Sequence, residues 1–178
     1  SLDAATSISE VNLAHAIEFN SDGTKMFIID NQGKKVEEYT LSTAWDTTDI
    51  THNGDYNIPT EDEPRGIDFK PDGTKLFVIG DDDEKIRSWT LATAWDIDSG
   101  KSGGNSSNRT NGYENKPKNL QFNSDGTVIY IAGENGDDIN KLTLSTAYDT
   151  SSSSLDTSQA ATTYDVSAQS DEMMGFVF

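Results

Sequence analysis

The chain repeats one segment three times, and this narrows its possible folds more than any other property. From Phe19 it reads FNSDGTKMFIIDNQGKKVEEYTLSTAWD, from Phe69 FKPDGTKLFVIGDDDEKIRSWTLATAWD, and from Phe122 FNSDGTVIYIAGENGDDINKLTLSTAYD. The copies start 50 and then 53 residues apart. A period of that size marks an architecture of stacked or radiating units, each too small to bury its own apolar face.

Composition alone points elsewhere. The 178 residues are 33% hydrophobic and carry a net charge of −18, a combination at the edge of the disordered class. Matching registers in three copies overrule that reading, leaving a globular protein with a thin apolar inventory and a solvated surface. A pI near 4.2 argues against nucleic acid and anionic membrane as partners, since both share the sign of its charge. It suits an extracellular or high-salt setting, where self-repulsion is screened. Without cysteine there are no disulfides, thiolate metal sites or thiol chemistry. No apolar run approaches the roughly 18 residues of a membrane span, so membrane insertion is not expected, and the first residues lack the features of a signal peptide.

Each repeat reads as strand, tight turn, strand, turn, strand. The first strand is HAIEF, RGIDF or KNLQF, with apolar residues alternating at Ile17 and Phe19, Ile67 and Phe69, Leu120 and Phe122, the two-residue period of a strand. The turn Lys70-Pro71-Asp72-Gly73 suits a type I turn with a glycine bulge, so Gly23, Gly73 and Gly126 should have positive φ. The second strand, KMFIID, KLFVIG or VIYIAG, is apolar nearly throughout and should be buried on both faces. In the third strand, KVEEYTL, KIRSWTL or DINKLTL, the apolar alternation slips midway, which predicts a bulge or twist. A weaker fourth strand is expected at DYNIP (55–59), at TYDVS (163–167) and within SSNRTNGYEN of the second repeat.

Four antiparallel strands per unit of about 50 residues describe a β-propeller blade. The hairpin F-x-P-D-G-T-K-L-F-V resembles the YVTN-type and TolB-type repeats of large bacterial propeller families. The unit closed by LSTAWD is similar to repeats of uncharacterised secreted or virion-associated proteins of marine bacteria and phages. The resemblance implies an all-β propeller segment, extracellular or virion-associated, and leaves its activity open, because propellers host enzymes, adhesins and scaffolds alike. The expected units are residues 11–60, 61–113 and 114–168, with 169–178 as the inner strand of a further blade. ATSIS before Glu10 reads as an extra outer strand.

Three blades cannot close a ring of about four to eight. The expectation is a partial propeller, or one completed by self-association into a homodimer. Trp45, Trp95 and Tyr148 recur at one position and read as structural rings that bury a large area. The Asp after each is expected to cap a turn.

Function is sought where equivalent positions differ. The inner strand should line the central channel, and its first residue is His15, Arg65 or Lys118, a candidate ligand-binding set for an anion such as an acidic glycan. The competing reading pairs these cations with Glu18, Asp68 or Glu63. Asp81-Asp82-Asp83-Glu84 could offer oxygens to calcium, but the other repeats have no such set, and a solvated hairpin tip is the simpler reading. Asn105 and Asn108 begin glycosylation-type triplets, a pattern that short polar loops also produce by chance. His52 falls in a variable outer loop. With two histidines and no cysteine, no catalytic set, metal site or cofactor motif stands out. The leading expectation is a non-enzymatic binding or structural module acting in adhesion, carbohydrate recognition or assembly. The alternative is a fragment of a lactonase-like or glycosidase-like propeller hydrolase whose catalytic residues lie partly outside this chain, with Glu18 and Asp68 at equivalent positions and Gln121 not continuing the set.

Overall fold

The structure, a computed structural model, describes residues 6–58, 63–81, 85–104, 108–109, 114–134, 138–150 and 164–165. Among them the chain is all-β, in three antiparallel sheets placed side by side. The first sheet runs β1 (Ala14–Phe19), β2 (Lys25–Asp30), β3 (Lys35–Thr43), β4 (Asp46–Asn57), in that spatial order. The second runs β5 (Pro64–Phe69), β6 (Lys75–Gly80), β7 (Lys85–Leu91), β8 (Lys101–Gly103), with β9 (Asn108–Arg109) also on β7. The third runs β10 (Pro117–Phe122), β11 (Val128–Gly133), β12 (Asp138–Thr143), β13 (Tyr164–Asp165). Apart from β9, consecutive strands pair in every sheet, so each repeat is one meander blade of a partial propeller.

The repeated residues explain the local geometry. Gly23 and Gly73 have φ of 72°, Gly126 of 73°, and the turn closes through Gly23 N–H on the Asn20 carbonyl at 3.0 Å. Asp22, Asp72 and Asp125 each accept the N–H of the threonine two residues on, at 3.0, 3.0 and 2.9 Å. The aromatic position then interlocks with the turn. Trp45, Trp95 and Tyr148 lie in the left-handed region (φ 64°, 59°, 54°), and their N–H groups donate to the carbonyls of Gly23, Gly73 and Gly126. Such φ values are costly for bulky residues. The return is a ring laid against a glycine that has no side chain to obstruct it. Asp46 and Asp96 cap the following turns as expected, on Thr48 N–H and on Asp98 and Ser99 N–H.

Blades pack ring to ring. Phe27 of β2 meets Phe69 at 4.5 Å, and Phe77 of β6 meets Phe122 at 4.4 Å. One core lies between the first and second blades, built from Phe27, Ile29, Val36 and Ile58 against Ile67, Leu76, Val78 and Trp89. A second joins Phe77, Ile79 and Ile86 to Leu120, Ile129 and Leu142. The second strands are buried on both faces, and the slip in β3 is a register shift against β4 between Glu38 and Tyr39.

Several expectations need correction. The fourth strand of the first blade starts at Asp46, well before DYNIP, because the β-branched run Thr47 to Thr51 pairs along β3. That places His52 inside β4, its Nε2 2.7 Å from the buried Glu37 carboxylate. Thr6 to Ser9 form no strand: Thr6 Oγ1 donates to the Thr47 carbonyl, and Ile8 and Val11 pack on Met26, Ile28, Tyr39 and Leu41. Apolar burial on the sheet face outweighed edge pairing there. Glu38, read only as part of a strand, is buried and joins two blades. It holds Lys25 Nζ at 2.5 Å and accepts Ile97 N–H at 2.9 Å. The stretch 169–178 lies outside the described residues.

Candidate functional site

The inner strands β1, β5 and β10 present two chemically different ends. At their start, each contains a bulge: the pairing register shifts between Ala14 and Ala16, between Pro64 and Gly66, and between Pro117 and Asn119. The residues in those bulges are His15, Arg65 and Lys118. A bulge re-aims the side chain it carries, and here the three side chains converge. Arg65 Nη1 lies 3.0 Å from His15 Nε2, and Asp81 Oδ2 accepts both Arg65 Nε at 3.1 Å and Lys118 Nζ at 2.5 Å.

The cations already hold carboxylates, and of the three expected partners Glu63 is one of them. Glu63 takes Arg65 at 2.9 Å and Glu134 takes Lys118 at 3.0 Å, while Glu18 and Asp68 line a separate cavity at the far end of the strands. Asp81, expected on a solvated tip, is nearly buried beneath them, and its Oδ1 has no hydrogen-bond partner among the described residues. Asp82 to Glu84 are outside the described residues. His15 is held below the ordinary histidine range, first by burial and then by the charges of Arg65 and Lys118, which keeps the ring neutral near pH 7. Glycosylation-type triplets at Asn105 and Asn108 fall largely outside the described residues. Among the described residues no group of three metal-ligating side chains occurs.

At the opposite end, a cavity of about 220 Å³ is lined by Glu18, Asp68 and the rings of Phe69, Trp95, Phe122 and Tyr148. Asp68 is fixed: Oδ1 accepts Phe69 N–H and Oδ2 accepts Phe122 N–H, each at 2.7 Å. The second of these stitches β5 to β10 across the blade boundary. Burial raises Asp68 to about 6 against the pull of those two donors. Glu18 is raised to about 7, by burial first and by the neighbouring Asp68 charge second. Burial thus moves both carboxyls up from the ordinary carboxylate range toward neutrality. The sequence placed both carboxylates and the four rings on repeated positions, Phe69 and Phe122 on β5 and β10 and Trp95 and Tyr148 after β7 and β12; that they meet around one cavity is decided by how the blades pack.

No family model and no curated protein matches the chain. Solved structures do match in fold. A Bacteroides fragilis protein crystallised as a candidate 6-phosphogluconolactonase aligns with TM-score 0.56 at 12% identity, over 90% of this chain and 39% of that one. The periplasmic gluconolactonase PpgL of Pseudomonas aeruginosa aligns with TM-score 0.54 at 13% identity, over 73% and 35%. The β-propeller domain of Swd1 from Myceliophteria thermophila aligns with TM-score 0.51 at 11% identity, over 76% and 41%. This chain thus spans about two fifths of the length of these structures. At such identities the likeness concerns fold alone: the three sheets are β-propeller blades.

Proposed function

We propose that these blades belong to a lactonase-like propeller hydrolase, with Glu18 as the proton-transferring group. The observation that supports this reading is the ring-lined cavity holding two carboxyls that burial raises toward neutrality. A carboxyl titrating near the working pH is matched to both halves of a proton transfer. In lactone hydrolysis, Glu18 as carboxylate takes a proton from water as its oxygen adds to the carbonyl carbon. Glu18 then returns that proton to the ring oxygen as the C–O bond breaks, leaving a hydroxy acid. Asp68, tied down by two N–H groups, keeps its charge beside Glu18. Two of the structural neighbours bear gluconolactonase-type names, which favours a sugar lactone as substrate. The measurement is hydrolysis of gluconolactone and its 6-phosphate: turnover that vanishes in Glu18→Gln supports the proposal, and equal rates in both proteins overturn it.

A second reading, a binding module without catalysis, is favoured by the bulged set at the other end. His15, Arg65 and Lys118 would take an acidic glycan there, with the Asp81 Oδ1 accepting a sugar hydroxyl. Titration with sulfate and an oligouronate should show weak binding that fades with salt and is lost in Arg65→Ala; no response would discard this site. The acidic surface and the resemblance to YVTN-type and TolB-type repeats support an extracellular or virion-associated setting.

A further inference from the structure

We infer that the cavity between Glu18, Asp68 and the four rings is a binding site for a small organic cation of the methylated ammonium type. The rings come in two pairs. Phe69 and Trp95 lie 4.9 Å apart in the second blade, and Phe122 and Tyr148 lie 5.3 Å apart in the third. Aromatic faces carry the negative part of the ring quadrupole and attract a cation within about 6 Å of the ring centre. Glu18 and Asp68 add their carboxyls to the same space.

Among the described residues, no lysine, arginine or histidine lines this cavity to answer the two carboxyls. Lys70 lies 6.0 Å from the centre of the Tyr148 ring, but Asp72 already holds it at 2.5 Å. The cations of the inner strands, His15, Arg65 and Lys118, gather at the other end. Burial, and after it the Asp68 charge, raises Glu18 to about 7, as happens to a carboxyl that leaves water without a counter-charge. A bound cation supplies that counter-charge.

Hydrogen bonding narrows the class of ligand. Both Asp68 oxygens accept backbone N–H groups, from Phe69 and Phe122, and Tyr148 donates its hydroxyl to the Ser124 carbonyl at 2.8 Å. Asn123, also on the wall, is committed to the Thr127 hydroxyl and the Val128 N–H. A primary ammonium brings three donors that each need an acceptor, whereas a quaternary ammonium brings none and is held by charge and ring faces. The cavity, at about 220 Å³, is smaller than the roughly 300–1,000 Å³ of pockets that take drug-sized ligands, which suits a compact head group. Binding requires no turnover, so it holds whether or not the same cavity opens lactones.

Isothermal titration of the full chain with choline chloride tests the inference, with the uncharged alcohol in which carbon replaces the nitrogen as the reference ligand. Choline should bind at least about tenfold more tightly than that alcohol. Glu18→Gln, which keeps the shape and removes the charge, should erase most of the difference while leaving the near-UV spectrum of the surrounding rings unchanged. Absence of choline binding at millimolar concentration, equal affinity for choline and the alcohol, or undiminished choline binding in Glu18→Gln would each overturn it. The comparison of the two ligands in the wild-type protein decides even if the variant fails to fold. Choline binding without lactone turnover would remove the hydrolase reading and leave this one standing.

Discussion

Gly73 and Trp95 define each other: the Trp95 N–H donates to the Gly73 carbonyl at 3.0 Å, and a Cβ on Gly73 would fall 2.3 Å from the indole. The same interlock joins Gly23 to Trp45 and Gly126 to Tyr148. Two segments that look independent in the repeat, DGT and TAWD, are thus one structural device.

Gly73→Ala should therefore destabilise the protein by about 2 kcal/mol or more, since it combines a positive φ with a displaced ring. Gly100→Ala is the control. A Cβ there meets nothing nearer than Ala92 at 3.7 Å, and urea melts should find it within about 0.5 kcal/mol of wild type.

Glu38→Ala removes the carboxylate that holds Lys25 and the Ile97 N–H across the blade boundary. Breaking a buried pair from one side should cost about 3 kcal/mol. Lys75→Met, which loses one hydrogen bond to the Tyr148 carbonyl, should cost about 1–2 kcal/mol. Chemical denaturation of both variants should reproduce that order.

Stability should fall as pH rises through neutrality. Glu18 titrates near 7 in the fold against a reference of 4.5, so between those values the folded chain binds more protons than the unfolded one. Its stabilising contribution is complete below about pH 4.5 and is lost by about pH 7, on the order of 3 kcal/mol. Asp68, raised to about 6, acts in the same direction from about pH 4 upward. Glu18→Gln should flatten the loss measured in melts between pH 4.5 and 8.

Asp81→Ala should leave Arg65 and Lys118 facing each other without their shared acceptor. The expected cost is about 3 kcal/mol, the low end for stripping one partner from a buried ion pair, since the cluster is not fully enclosed. Added sulfate, as a replacement counter-ion, should recover part of it in thermal melts.

Local chemistry made the blades readable. Apolar alternation in HAIEF, the DGT turn and the repeated Phe19, Phe69 and Phe122 depend on residues near in sequence, and the repetition confirmed each reading twice. The site was half readable. His15, Arg65 and Lys118 stood out because equivalent positions differ, but their convergence depends on three bulges, and a bulge leaves no compositional mark. Asp81 looked solvated because its neighbours are acidic, and only its burial beneath two cations shows otherwise. Nothing in KVEEYTL marks Glu37 and Glu38 as buried, because burial of a charge depends on partners brought from other strands, His52 for Glu37 and Ile97 for Glu38.

By itself, the sequence determined that each of the three repeats forms a blade, the order of its first three strands and the DGT turn joining the first two, since those follow from short-range sterics and periodicity. Only the tertiary structure decided which acids meet which bases, which carboxyls lose solvent, and which aromatic rings remain exposed. Burial and charge pairing are sums over neighbours brought from other blades. Ile17 and Ile67 carry the same side chain at the same register, and Ile67 is buried because Phe27, Ile29 and Val36 of the first blade share its core.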